Sequence, residues 1–392
     1  MEEISMNIGI DKISFFTPHL YLDMRDLARE RDVDPNKYLI GIGQSKMAVI
    51  PPTQDVVSMA ANAIAKILTP ADKDQVDMIL FATESGIDNS KSGAVYIQKL
   101  LGFKNQIRVI ELKQACYAAT AAIHFAQGHI ANHPDSKVLV IGADNARYGL
   151  ATKGEPTQGG GAVAMLISRD PRILTVQDDA TYWADDIMDF WRPLSHDEAL
   201  VDGKYSTNIY LEFFKHVFKE YQDKTGFDVS KFDALLFHLP YTKEGFKALK
   251  IAIEGADPTV ASRLTHEFES VRRYSNQIGN LYTGSLYLGL LSLLENSTDL
   301  KAGMRLGLYS YGSGAQGEFY SAFLRPGFNK YIEHAAFQKV LDARKQVSVA
   351  EYEKIYNSHI KDEKTRMLDY SNDPAKYVFA GVKDYQREYV VK

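Results

Sequence analysis

Three stretches of this 392-residue chain are written twice. "VDMILFATE" (Val76 to Glu84) and "FDALLFHLP" (Phe232 to Pro240) match nearly position for position, which sets His238 opposite Ala82 with Glu84 two residues further on. "QACYAATAAIHFAQG" is echoed by "IGNLYTGSLYLGLLSLL", so that Asn280 falls opposite Cys116, and "KVLVIGADNA" is echoed by "RLGLYSYGSG". No short period runs through the chain, so this is one duplication and not a solenoid. The length also exceeds one ordinary domain. Two similar halves are expected, residues 1–170 and 171–392, with an extension from about Tyr331.

Each half alternates strand and helix. "MNIGIDKISFFTP" reads as a strand ending at a proline. "TQDVVSMAANAIAKIL" places Val56, Ala60, Ala63, Ile64 and Ile67 on one helical face, with Thr53 or Asp55 at its start. "VDMILFATES", "IRVIEL", "KVLVIGAD" and "GGGAVAMLIS" read as strands; "GAVYIQKLLG" and the segment after Cys116 read as helices. Near-continuous apolar strands between helices predict an α/β fold whose sheet is buried on both faces. A pseudo-dyad would bring equivalent strand ends together, and sites in such sheets form at the carboxyl ends of strands. Glu84, Cys116, His238 and Asn280 occupy such ends. The aromatic tail, helices plus a late strand "KYVFAGV", shows no chemistry of its own and is expected to be a surface or dimer-supporting extension.

Composition excludes several classes. Apolar residues make up 45% and charged residues 24%, as in a soluble globular protein. A net charge of −5 and scattered basic residues give no general attraction to nucleic acid or an anionic membrane. No stretch approaches the roughly 20 apolar residues that span a bilayer. The acidic start "MEEISMNIG" lacks the features of a secretory signal, and a single cysteine forms no internal disulfide, so a cytoplasmic location is expected.

A lone cysteine is usually a small buried hydrophobe. Cys116 instead precedes a helix, whose free N–H groups would lower a thiol pKa and could hold the oxyanion of a thioester under attack. His238, at the end of an apolar strand and before "LP", reads either as a satisfied core histidine or as a base and hydrogen-bond donor. Glu84 is either a capping carboxylate or a buried acid with a raised pKa. Lys243, Lys247 and Lys250 share one helical face, solvated or facing a nucleotide phosphate. The glycine-rich "TQGGGAVAML" and "YSYGSGAQGE" match no phosphate-loop pattern. No histidines are spaced as metal ligands, and no metal site is expected.

Seven stretches in order, "NKYLIGIGQSKM", "FATESGID", "ELKQACYAAT", "DFWRP" with "VDGKYS", "FHLPYTKEGFK", "SNQIGNLYTGSLY" and "SYGSGAQGEFYS", resemble the 3-hydroxy-3-methylglutaryl-CoA synthase family of thiolase-fold condensing enzymes. The resemblance implies two pseudo-symmetric βαβαβαββ halves in a five-layer α-β-α-β-α sandwich. It implies that Cys116 is acetylated by acetyl-CoA, that Glu84 is the general acid/base, and that His238 polarises an acetoacetyl thioester with help from Asn280. N–H groups at Cys116 and around Ser313 would form an oxyanion hole. Lys243 and Lys247 match CoA-contacting lysines, and Thr157, Ser206 and Ser313 match positions lining the substrate. Tyr148 is implied as an aromatic neighbour, and Asp34 and Pro35 match a further contact, although Pro replaces a small residue there. CoA thioesters are then substrates, no cofactor is needed, and a homodimer is implied. A ketoacyl-acyl-carrier-protein synthase shares the Cys, His and Asn, and an inactive acyl-CoA-binding scaffold is a third reading. A biosynthetic thiolase would need a second cysteine.

Overall fold

The duplicated strands meet in one ten-stranded sheet in the computed structural model, which describes residues 7–392. The acidic run at residues 1–6 lies outside the described residues. The first half supplies β1 (Ile8–Phe16), β2 (Val76–Ala82), β3 (Arg108–Leu112), β4 (Lys137–Ala146) and β5 (Gly159–Arg169). The second supplies β6 (Leu174–Val176), β7 (Thr181–Ala184), β8 (Ala234–Phe237), β9 (Arg305–Gly312) and β10 (Gln316–Leu324). The order across the sheet is β8-β9-β10-β6-β1-β5-β4-β2-β3, with β7 beside β10.

The pairing repeats as the sequence does. β2 runs parallel to β4, which is antiparallel to β5, which is antiparallel to β1. Likewise β8 runs parallel to β9, which is antiparallel to β10, which is antiparallel to β6. The halves join where Gly9 and Ile10 of β1 pair with Thr175 and Leu174 of β6. Glycine is required at this joint, since a Cβ on Gly9 would lie 2.1 Å from the Leu174 carbonyl oxygen. The second half closes one strand short, because no partner of β3 occurs there among the described residues. Its place in the chain is taken by "RYSNQIGN", which has no β-branched apolar run and forms one helical turn at Ser275–Ile278.

Helices cover and fill this sheet. α1 (Val56–Ile64) begins in a capping box, in which the Asp55 carboxylate accepts from Ser58 N–H and the Ser58 hydroxyl from Asp55 N–H. With α2 (Gly93–Leu100) it covers the outer face of the first half. α3 (Ala118–Asn132) and α7 (Ser285–Asn296) lie between the halves. There the Thr120 hydroxyl of α3 donates to Ser310 of β9 at 2.8 Å and meets Tyr287 of α7 at 2.7 Å. The alanines that follow Cys116 let α3 pack this deep; Ala118, Ala119, Ala122 and Ala126 are all buried. α4 (Gly203–Thr225) covers the far side, with Phe213 against Gly317 of β10. Between α4 and α7 come α5 (Thr242–Ala252) and α6 (Pro258–Arg272).

The tail packs back on the molecule through α8 (Val349–Asn357). Val347, Tyr352 and Tyr356 join Leu22, Met24, Leu27, Met47 and Val49 in a second, smaller apolar cluster. From there Tyr352 and Tyr356 hydrogen-bond to Gln158 and Gly149, chain neighbours of residues in the cleft described next.

Candidate active site

Four strand or helix ends converge on a cleft of about 720 Å³. Cys116 sits on the turn between β3 and α3, where Tyr117 N–H donates to the Gln114 carbonyl at 3.1 Å. Ala115 is held at φ +42°, a left-handed conformation costly for a residue with a Cβ. β9 ends against this turn. A Cβ on Gly312 would lie 2.5 Å from the Gln114 carbonyl oxygen and 2.8 Å from the Tyr117 nitrogen, so the glycine lets Ser313 approach Cys116.

The thiol donates to Glu84 Oε1 at 2.9 Å. Burial pushes the Glu84 carboxyl up to about 8, and nearby Asp144 adds to the effect. Burial, then the neighbouring Glu84, pushes the Cys116 thiol well above its ordinary value. Position next to a helix start predicts the opposite, a lowered thiol pKa. The helix begins two residues after Cys116, and its partial charge does not offset a dry pocket with a carboxyl in contact. The resting pair is thiol and carboxyl, not thiolate.

His238 follows β8 and is buried. Its backbone N–H donates to the Tyr309 carbonyl at 2.8 Å, and Tyr210 OH donates to the His238 backbone carbonyl at 2.9 Å. Burial drops the imidazole to about 3, so it is neutral and carries one N–H donor. Asn280 precedes a 3₁₀ turn (Tyr282–Gly284) that leads into α7. Its Nδ2 donates to Tyr148 OH at 3.0 Å, while its Oδ1 accepts from Tyr282 N–H and the Ser285 hydroxyl. Tyr148, Phe190 and Tyr282 pack edge to face around it, with ring centroids 5.8–6.1 Å apart.

Seven of the residues singled out in the sequence line this cleft: Cys116, Tyr148, Thr157, Ser206, His238, Asn280 and Ser313. Glu84 stands behind the thiol. Lys243, Lys247, Asp34 and Pro35 are not brought into the wall. Lys247 Nζ donates to the hydroxyl of Tyr241, which does line it. Lys243 lies over the Phe246 ring. Asp34 accepts from Asn36 N–H ahead of the turn that carries Ile42 to the wall.

Other residues of the site escaped the sequence reading. Asp144, at the end of β4, is wholly buried. Its Oδ1 accepts from the Thr83 and Ser85 hydroxyls and from the N–H groups of Glu84 and Ser85. Its Oδ2 accepts from Thr283 N–H and hydroxyl, so one carboxylate ties the Glu84 loop to the Asn280 loop. A carboxylate ending the apolar run "KVLVIGAD" was the available signal, the same one that marks Glu84. Asp189 of "DFWRP" accepts from Ser206, Tyr311 OH and Gly314 N–H. Arg192 of the same motif donates to the Glu84 carbonyl. Glu244 in the first turn of α5 lines the cleft too, with only the signal of an acidic residue near a helix start. Away from the cleft, His266, Glu267 and Asp299 bring ligand atoms within 4.8 Å of one another. The three come from α6 and the loop after α7, a pairing that local spacing cannot reveal.

Family comparisons agree with this geometry. Residues 4–172 match the family described as hydroxymethylglutaryl-coenzyme A synthase N terminal, and residues 253–377 match its C-terminal counterpart. The chain is 47% identical to the hydroxymethylglutaryl-CoA synthase of Enterococcus faecalis, over 98% of this chain and all of that protein. The chain belongs to the hydroxymethylglutaryl-CoA synthase family. A crystal structure of an HMG-CoA synthase complexed with CoA superposes with a TM-score of 0.96 at 42% identity, covering 99% of this chain and all of that one. Another relative, the polyketide biosynthesis 3-hydroxy-3-methylglutaryl-ACP synthase PksG of Bacillus subtilis, is 31% identical over 90% of this chain and 88% of its own length. The fold is the thiolase-like α/β fold of HMG-CoA synthases.

Proposed function

We propose that this chain condenses acetyl-CoA with acetoacetyl-CoA and water to give 3-hydroxy-3-methylglutaryl-CoA and CoA through an acetyl-Cys116 intermediate, a step toward mevalonate and isoprenoids. The observation that carries the reading is the 2.9 Å contact of Cys116 with Glu84 in a cleft shared with His238 and Asn280. In this reading the half up to about residue 170 contributes the thiol and the acid, and the half from 171 contributes His238 and Asn280.

In the ionised fraction of Glu84, whose carboxyl titrates near 8, the carboxylate takes the thiol proton as sulfur attacks the acetyl thioester and passes it to the departing CoA sulfur. The oxyanion is held by N–H groups at Cys116 and around Ser313. With CoA gone, Glu84 as carboxylate removes a proton from the acetyl methyl group. The carbanion adds to the ketone of acetoacetyl-CoA, whose thioester is polarised by the neutral His238 N–H beside Asn280. The new alkoxide takes the proton from Glu84, and water cleaves the Cys116 thioester. Tyr148, Thr157 and Ser206 shape the acyl pocket. Lys243 and Lys247, with the Asp34–Pro35 segment, serve the nucleotide end of CoA outside it. Every step uses groups of the chain and its thioester substrates.

Acetyl-CoA alone should add one acetyl mass to the protein, and Cys116→Ser should lose it. An unlabelled native protein would remove the covalent mechanism. Consumption of acetoacetyl-CoA that depends on added acetyl-CoA tests the whole reaction; acetylation only from an acyl carrier protein would favour the chemistry named for the Bacillus relative.

A homodimer belongs to the same reading. β3 leaves its edge open, with Ile110 50% exposed, and Phe125 of the adjoining α3 is 58% exposed. An open apolar strand edge is a template for pairing with a second copy. Light scattering should give the mass of two chains, and Ile110→Lys should shift it toward one. No helix among the described residues is long and apolar enough to cross a membrane, and a cytoplasmic location is part of the same proposal.

A further inference from the structure

One buried acid in the cleft has no part in the steps above. Glu244 is 4% exposed and lines the same wall as His238, Tyr210, Tyr241 and Thr207. Its carboxyl meets one hydroxyl, that of Thr207 on α4. The nearest cation on its own helix, Lys247, gives its ammonium to Tyr241 OH at 3.1 Å. From α4 and β9 it faces the phenols of Tyr210 and Tyr309. From the end of β8 comes His238, which is neutral. The other charge acting on it is Asp189, itself an anion. No element around Glu244 therefore offers a positive charge in contact with it, and burial pushes the carboxyl up to about 7.

We infer that Glu244 is a recognition residue for the polar arm of a coenzyme A thioester, and that it binds that arm as the neutral acid. The inference rests on the proposed function, because the arm of such a thioester must cross this cleft to reach Cys116. A neutral carboxyl supplies an O–H donor and an acceptor oxygen, which suit the carbonyl and N–H groups of the arm's amides. The ionised form loses the donor. Filling the cleft also expels the water that an unpaired carboxylate would need. Binding therefore draws from the protonated fraction only, and apparent affinity falls in proportion to that fraction.

The test is the KM for acetoacetyl-CoA at saturating acetyl-CoA, measured with the full chain between pH 6.5 and 8.0. With a titration centred near 7, the native KM should rise about eightfold over this range. Glu244→Gln should abolish the pH dependence. Glu244→Leu, which cannot hydrogen-bond, should raise KM about tenfold at pH 6.5 and also flatten the profile. Glu84 acts on the chemical step and moves kcat, so the split between KM and kcat separates the two acids. Acetylation of Cys116, followed by intact mass in the same samples, reports on the underlying reading. An unacetylated protein overturns the proposed function and this inference together. An acetylated protein with a flat native KM, or a Glu244→Gln variant that keeps the rise, overturns the inference alone.

Discussion

Cys116 carries its proton against Glu84, and burial holds both groups in their neutral forms. Nucleophilicity then comes from proton transfer during attack, not from a standing thiolate. Two consequences separate the pair. Glu84→Ala should still accept acetyl from acetyl-CoA, more slowly because the thiol has lost its proton acceptor, while condensation falls by about 10²–10⁴, the usual contribution of a placed acid or base; condensation at the native rate would remove Glu84 from the proton path. Glu84→Gln deletes a carboxyl that is mostly ionised at pH 8.5, where its charge adds to burial in keeping the thiol protonated. Alkylation of Cys116 by iodoacetamide at pH 8.5 should accordingly be faster in that variant than in the native protein. "ATES" and "QACY" brought these two residues to notice from sequence, but not the direction of the thiol shift, because desolvation depends on what packs around a side chain.

β9 meets the Cys116 turn at Gly312, where an added Cβ would lie 2.5 Å from the Gln114 carbonyl oxygen. Gly312→Ala forces strand and turn apart by up to about an ångström. Destabilisation of about 1–3 kcal/mol, as for overpacking elsewhere, should appear as a lower denaturation midpoint. Acetylation should slow with it, since the Ser313 N–H moves away from the thioester. A variant with the native midpoint and native acetylation rate would show that the contact has slack. The tail acts on the opposite wall. Tyr352 OH accepts from Gln158 Nε2 at 2.6 Å, Gln158 Oε1 accepts from Tyr148 N–H at 2.7 Å, and Tyr356 OH accepts from Gly149 N–H at 3.0 Å. The tail reads from sequence as helices and a late strand, but the reach of these tyrosines across about 200 residues to the Tyr148 segment had no local signature.

Holding acids neutral inside a cleft has a cost that falls on the entire fold. Glu84 and Glu244 titrate near 8 and 7 in the folded protein, against about 4.3 in an unfolded chain. Their folded values are raised, so this contribution is most favourable to the native state below the unfolded value and is lost as pH rises through 7 and 8. Between those limits each acid removes up to about 1.4 kcal/mol per pH unit. The double variant Glu84→Gln with Glu244→Gln should melt a few degrees above the native protein at pH 8.5 and within about a degree of it at pH 4.5. Equal differences at both values would mean that neither acid is held neutral. The repeat made the α/β plan, the pairing of the halves and the four polar positions that meet at the cleft legible, because strand period, helix starts and duplication are written in residues adjacent along the chain. Protonation states, the Asp144 bridge and the placing of Lys243 and Lys247 outside the wall were not legible. They depend on burial and on groups up to 139 residues apart meeting, and electrostatic free energy is set by what surrounds a charge in space, not by its neighbours in order.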